Sequence, residues 1–471
     1  MLLGFVFLYM LVSIAIGLYA ARRVHSSTDY VVAGRSLPIY ITIATVFATW
    51  FGSETVLGIP ATFIEEGIGG VVSDPFGAAL CLILVGLIFA VPLYRMKLLT
   101  IGDFYKRTYG RKVELLVSIC ICLSYLGWVA AQVMALGLVF DLLSDGAIPQ
   151  EWGMALGLGI VLVYTIFGGM WSVALTDFLQ MIMIVAGLIV IAYYITEVAG
   201  GTHVVIDAAT AAGKFDNFLP DLTLPAILAF IAAWITMGFG SIPQQDVFQR
   251  VMSAKSERAA KYGTVTGGVL YLLFAFIPIY LAYSAFVIQP DIVQQQLQED
   301  SQIILPSLIL EHTPMWVQIV FFGAVLSAIM STASGTLLAP SVTFAENIAR
   351  GFLPDMDDKQ FLRMIRLCVL GFAAIVLTIS LNSELSIFEM VENAYKVTLV
   401  GAITPLFAGL FWKRASEGGA LTSIALGIGV WLVMEIVSPE GEGICPPQLG
   451  GFAAAVFGMV AGSFAFKKRD A

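Results

Sequence analysis

The sequence predicts an all-α polytopic membrane protein of about 13 transmembrane helices, with a five-plus-five inverted repeat over spans 2–6 and 7–11. Three observations predict it. The chain of 471 residues is 59% hydrophobic and 12% charged, with a mean hydropathy of +0.91, a balance no ordinary soluble domain has. Thirteen apolar stretches are long enough to cross a hydrocarbon core of ~30 Å. Two of these stretches, the second and the seventh, break in the middle on one shared tripeptide, Phe51-Gly52-Ser53 and Phe239-Gly240-Ser241.

The stretches run 2–21, 41–64, 71–93, 113–141, 152–171, 178–199, 223–245, 262–287, 304–346, 364–382, 386–411, 418–437 and 449–466. The ninth is too long for one crossing. It is expected to hold an extracellular half-turn or short helix before a span proper at 315–346. Span 2 is interrupted at Phe51-Gly52-Ser53-Glu54 and again by Pro60, and span 7 at Phe239-Gly240-Ser241-Ile242-Pro243. Lipid offers a freed N–H or C=O no partner, so a broken helix is tolerated only where it lines a polar cavity. Interrupted spans in corresponding halves point to a transporter's binding site. The two breaks start five spans apart. Units with an odd number of spans insert upside down relative to one another, which gives a leading helix in 1–35, a first repeat in 36–200, an inverted second repeat in 221–411 and two trailing helices in 412–471, all in one transmembrane domain.

The positive charges test this map. Of the 24 Lys and Arg, 22 lie in connections that follow odd-numbered spans or in the C-terminal tail. Lys214 alone lies on the opposite face, and Lys396 alone inside a span. The positive-inside rule then puts the N-terminus outside and the C-terminus in the cytoplasm of a cell's plasma (inner) membrane. The first apolar run has its arginines after it, so it reads as a span and not as a cleavable signal. The net charge of −9 sits largely in outer loops such as Gln289–Asp300 and gives no reason to expect nucleic acid. The five cysteines and three histidines have no metal-ligand spacing and no disulfide pattern. No organic cofactor is expected, and no cluster of His, Cys or paired acids at depth suits an enzyme. The lipid bilayer and a small-molecule substrate are the expected partners; the oligomeric state is left open.

Small and hydroxylated residues crowd the centre of span 9, Gly323 to Gly335. They suit close helix packing. They also suit a Na⁺ site, because a hard cation wants oxygen ligands. Ser331 and Thr332 could supply hydroxyls, and Ala48 and Phe51 carbonyls freed near the break in span 2; both regions lie near mid-membrane. Two charged residues are buried by this map, Glu54 at the break and Lys396 in span 11, with Glu392 and Glu389 at i−4 and i−7 of Lys396. Intramembrane ionisable residues tend to be functional and to pair. Glu54 could balance a substrate amine or ligate Na⁺. Lys396 could bind a substrate carboxylate, or lock to Glu392 or Glu54.

Several segments resemble the family of sodium/solute symporters that includes sodium-coupled sugar, proline and choline transporters. Tyr164-Thr-Ile-Phe-Gly168-Gly169-Met-Trp-Ser172-Val173-Ala-Leu-Thr176-Asp177-Phe-Leu-Gln180 resembles its signature, Ala324 to Thr332 its sodium-binding helix, and Ile242 to Val251 the cytoplasmic end of its seventh span. The resemblance implies a Na⁺ site of Ala48, Phe51, Ala328, Ser331 and Thr332, and a role for Asp177 in sodium coupling; Asp177 also reads as an N-cap of span 6. Within the family the likeness is greatest to the choline-transporter branch, through Ala48-Thr49-Trp50 and through Trp128 to Gly137 with Gln132. Trp50 and Trp128 would be two walls of an aromatic cage for a cationic group, or packing residues. Gln244 stands where that branch has a third tryptophan, and Ser53-Glu54 where it has glycines. With Gly240 and Lys396 these residues complete the candidate substrate lining. The function expected is Na⁺-coupled uptake by alternating access of a quaternary ammonium or an amino-acid-like zwitterion. The alternative is a transporter-like solute sensor that signals through a partner chain.

Overall fold

In the computed structural model, residues 2–353, 355–383, 385–438 and 443–466 are described. Lys467, Lys468 and Arg469, which the charge map places in the cytoplasmic tail, lie outside them. Nine helices are long and apolar enough to cross a membrane, and three further pairs do so as bent spans. One of the nine, Gln150–Val198, has 49 residues. At 1.5 Å per residue it would measure ~74 Å if straight, about twice a bilayer. It breaks at Gly169 (φ 50°, ψ −137°) and so supplies spans 5 and 6, which brings the count among the described residues to thirteen. Glycine is needed there twice over, for the positive φ and because a Cβ would lie 2.4 Å from the Tyr30 carbonyl.

Span 1 is Leu2–Ala21. Span 2 is Ile39–Trp50 with Glu54–Gly69, bent by 53°, and span 7 is Leu224–Gly240 with Gln245–Ser253, bent by 46°. Both expected breaks are present. Pro60 does not break span 2 again: the backbone stays helical through it, and the wide π turn Glu54–Gly58 just before it accommodates the missing N–H. Span 3 is Val72–Met96, span 4 Arg111–Leu143 and span 8 Glu257–Ile288. A short helix, Ile304–His312, precedes span 9, Met315–Thr343, as the length of that stretch required. Span 10 is Asp358–Ser380. Span 11 differs from expectation. It is bent by 45° between Ile387–Gly401 and Ile403–Phe411. The Gly401-Ala402 junction and Pro405 three residues on are the sequence signal for that bend. Spans 12 and 13, Glu417–Val437 and Pro447–Ala465, pack on one another and against span 11.

Span 9 is the central pillar, packed against spans 4, 5 and 6. Every residue from Phe321 through Thr343 is buried, which explains its many Gly, Ala, Ser and Thr: small side chains let neighbouring backbones approach. Spans 2 and 7 are tied at matching ends. Leu37 and Ala254 form an isolated bridge, with Leu37 N–H on the Ser253 carbonyl and Lys255 N–H on the Leu37 carbonyl, both at 2.9 Å.

Candidate sodium and substrate site

The site is built where the break in span 2 meets spans 4, 6 and 9. Past Trp50 the chain leaves the helix, with Phe51 at φ −88°, ψ 74°. The freed backbone groups find partners on other spans. The Ser53 N–H, which in an unbroken helix would bond the Thr49 carbonyl, donates to Gln132 Oε1 at 3.0 Å. The Thr49 carbonyl accepts the Thr332 hydroxyl at 2.8 Å. Gln132 also donates through Nε2 to Glu54 Oε2 at 2.8 Å, and Trp128 Nε1 donates to Glu54 Oε1 at 3.2 Å. Ser53, Glu54, Trp128 and Gln132 are thus brought together.

Thr332 reaches the edge of the break, while Ser331 turns to span 6. The carbonyl that Thr332 reaches is that of Thr49, which lies between the two predicted donors Ala48 and Phe51. Ala328, one turn before, is buried on the same face of span 9. Ser331 donates to Asp177 Oδ1 at 2.7 Å. Asp177 lies within the second half of Gln150–Val198, well past the break at Gly169, so it is not a helix cap. Its other oxygen accepts from Thr45 and, at 3.4 Å, from Thr49. These two residues lie one helical turn apart on one face of span 2. Gly52 joins the two halves of the site. A Cβ there would lie 2.5 Å from Glu54 Oε2 and 2.8 Å from Thr332 Oγ1, so Glu54 and the Thr332 hydroxyl converge on one glycine.

Behind the break stands an aromatic cluster. Trp50 meets Trp128 edge-on at 5.8 Å between ring centroids and stacks on Tyr395 at 6.1 Å; Trp128 meets Tyr395 at 5.4 Å and stacks on Tyr125 at 5.9 Å. All four are buried. Tyr125 and Tyr395 are missing from the sequence-derived lining, although Tyr395 adjoins the buried Lys396. Gln244 does not complete the ring of aromatics; it donates to Ser124 at 2.9 Å and Thr398 at 3.3 Å. Gly240 packs against span 11, where a Cβ would lie 2.6 Å from the Tyr395 carbonyl.

Two further charged residues belong here. Asp246 accepts from Trp50 Nε1 at 3.2 Å and from the Tyr125 hydroxyl. Arg250, counted above among cytoplasmic charges, is only 1% exposed. It donates to the Thr45 carbonyl at 3.2 Å, the Asp246 carbonyl at 2.8 Å and the Thr49 hydroxyl, and lies 3.9 Å from Asp177. A buried guanidinium with several donors matched to fixed oxygens is what such a cation requires.

The model of the sodium:solute symporter family matches residues 30–427. The chain belongs to that family. Like its other members, this symporter is a multi-pass membrane protein that couples Na⁺ to the movement of a small molecule. It is 25% identical over 459 residues to high-affinity choline transporter 1 of Caenorhabditis elegans, which covers 92% of this chain and 77% of that protein. It is 25% identical to the sodium/glucose cotransporter of Vibrio parahaemolyticus, covering 91% and 84%. It is 26% identical to the sodium/proline symporter of Haemophilus influenzae, covering 96% and 92%. Among solved structures, a Na⁺-coupled sialic acid symporter in a substrate-bound outward-open state superposes with a TM-score of 0.84 at 21% identity, over 100% of this chain and 99% of that one. A nucleobase-cation-symport-1 family transporter with bromovinylhydantoin bound gives 0.57 at 14% identity, over 94% and 95%. These likenesses establish the inverted-repeat transporter fold.

Proposed function

We propose that Na⁺ is held between the break of span 2 and the middle of span 9, by carbonyls of Ala48, Phe51 and Ala328 and the hydroxyls of Ser331 and Thr332. Asp177 takes part in coupling, and the substrate is a small organic cation or zwitterion. The observation that carries this reading is the pair of contacts made by adjacent hydroxyls, Thr332 on the Thr49 carbonyl and Ser331 on Asp177. Both are mid-membrane oxygens that a hard cation can share. The substrate lies against Trp50, Ser53, Glu54, Trp128, Gln132, Gly240, Gln244 and Lys396, with Tyr395 as a further wall. Aromatic faces attract a cationic group, and Glu54 supplies the opposite charge.

Na⁺ and substrate bind from the outside near mid-membrane, the two repeats rock, and both are released to the cytoplasm. In a plasma (inner) membrane with the N-terminus outside, the potential contributes about 2.3 kcal/mol per charge per 100 mV. Na⁺ and substrate tighten each other's binding by the same factor. Proteoliposomes test this: uptake of a cationic or zwitterionic solute is expected under an inward Na⁺ gradient and not under a K⁺ gradient. Equal uptake in K⁺ would reject Na⁺ coupling through this site.

A further inference from the structure

One buried acid lies outside the lining described so far. Asp74 opens span 3, where the backbone departs from the helix (φ −140°, ψ 119°), and is 1% exposed. Its Oδ1 accepts from the Tyr271 hydroxyl of span 8. Its Oδ2 is buried with no hydrogen-bond partner among the described residues. The Tyr271 hydroxyl lies 3.1 Å from Thr55 Oγ1, next along the chain from Glu54, and the Tyr271 ring meets Phe51 edge-on at 6.0 Å. Asp74 is thereby fastened to the broken stretch of span 2. The charges of Glu54 and Glu392 act on Asp74 through space, and those of Asp74 and Glu54 act on the Tyr395 hydroxyl, with no hydrogen bond joining that hydroxyl to either acid among the described residues. That hydroxyl is also buried with no hydrogen-bond partner among the described residues.

A buried acceptor left unpaired is costly, and native structures keep few of them without a reason. Hydroxyls can turn to donate or accept. The second Asp74 oxygen, in a carboxylate, can only accept. A quaternary ammonium has no N–H to offer it, and a substrate carboxylate would be repelled. A protonated amine offers both donors and charge, and a charge-assisted hydrogen bond is the stronger kind.

We propose that Asp74 is a substrate-binding residue whose second carboxylate oxygen accepts a hydrogen bond from a protonated amine of the substrate that keeps at least one N–H. The assignment rests on the substrate site proposed above and narrows it: the solute carries at least one N–H on its cationic nitrogen. Glu54 and the aromatic faces of Trp50, Trp128 and Tyr395 hold the rest of that charged end.

Two N-methylation series test it on the purified full-length protein, by thermal stabilisation in NaCl and in KCl. One is glycine, sarcosine, dimethylglycine and betaine; the other is L-proline and its N,N-dimethyl betaine. Na⁺-dependent stabilisation is expected from members with an N–H and none from the fully methylated ends. Asp74→Asn keeps an acceptor for Tyr271 and turns the second oxygen into a donor. It should raise the apparent Kd of the N–H members by about tenfold or more and leave the response to Na⁺ alone within about threefold. Tyr271→Phe disturbs the other side of Asp74 and should keep the ranking by methylation, which separates recognition from a folding defect. Methylated ends that bind as well as the N–H members would overturn the proposal. So would an unchanged ranking in Asp74→Asn, or N–H members that fail to stabilise a protein that Na⁺ alone stabilises. Wild-type protein that ranks the amines as expected but ignores Na⁺ would sink the Na⁺ site and leave Asp74 standing.

Discussion

Spans 2 and 7 break on the same three residues, yet the two breaks are satisfied in opposite ways. In span 7 the chain satisfies itself. Ser241 N–H bonds the Met237 carbonyl at 3.3 Å, Ile242 N–H the Phe239 carbonyl at 3.2 Å, and Gln244 N–H the Ser241 carbonyl at 3.1 Å. The result is a closed turn, packed through Gly240 against span 11. In span 2 the break is held open by side chains from elsewhere, Gln132 of span 4 on the Ser53 N–H and Thr332 of span 9 on the Thr49 carbonyl. A break of the second kind leaves oxygens and a carboxylate at mid-depth whose partners can change, and those are the groups a transported ion or solute can take over. A matched sequence break marks the pair of spans, while the partners of its backbone distinguish the closed break of span 7 from the open one of span 2, where the site is proposed.

That contrast can be broken by substitution. The largest effect is expected from Gly52→Ala. Its Cβ would enter the space between Glu54 and Thr332, and Na⁺-driven uptake should be lost, while Gly240→Ala should cost about 1–3 kcal/mol of stability through overpacking with the Na⁺ requirement nearly unchanged. Equal transport defects in the two would erase the distinction. Next comes Thr332→Val, which keeps the shape and removes the hydroxyl. The Na⁺ concentration for half-maximal uptake should rise about tenfold, the worth of one hydrogen bond of this kind. Gln132→Leu should weaken substrate binding several-fold, because it strips both the Ser53 N–H and Glu54 of a partner; a substrate titration by thermal shift in NaCl reads it. The smallest effect is expected from Ser241→Ala, whose buried hydroxyl makes no hydrogen bond. Uptake within about twofold of wild type would fit a change that removes no interaction.

Much of this architecture was legible in the sequence, because a bilayer restricts the options. Span lengths, the alternation of Lys and Arg, and Gly, Ser and Pro inside apolar runs are each direct consequences of missing water. So the map of spans, both breaks and the short helix before span 9 follow from composition and spacing. The bend in span 11 was passed over because Gly401 and Pro405 stand in a run that reads as one continuous crossing. Side-chain partners were harder. Thr45 and Thr49 look like any threonines in a helix until Asp177, more than a hundred residues away, is folded against them. Asp246 and Arg250 read as charges at a cytoplasmic helix end, because charge alone gives no depth; only the packing shows Arg250 sealed between Asp177 and the backbone of spans 2 and 7. Tyr395 and Tyr125 carried no signal beyond being aromatic. Their meaning comes from Trp50 and Trp128, which sit on other spans.

The most direct test of the central claim is a Na⁺ titration of thermal stability, at constant ionic strength with K⁺, of wild-type protein and of the Ser331→Ala/Thr332→Ala variant. Ligand binding stabilises only the form that binds. The account predicts a saturable rise for the wild type, and for the variant, read against its own K⁺-only midpoint, a curve displaced to at least about tenfold higher Na⁺. Superimposable Na⁺ curves for the two proteins would contradict it.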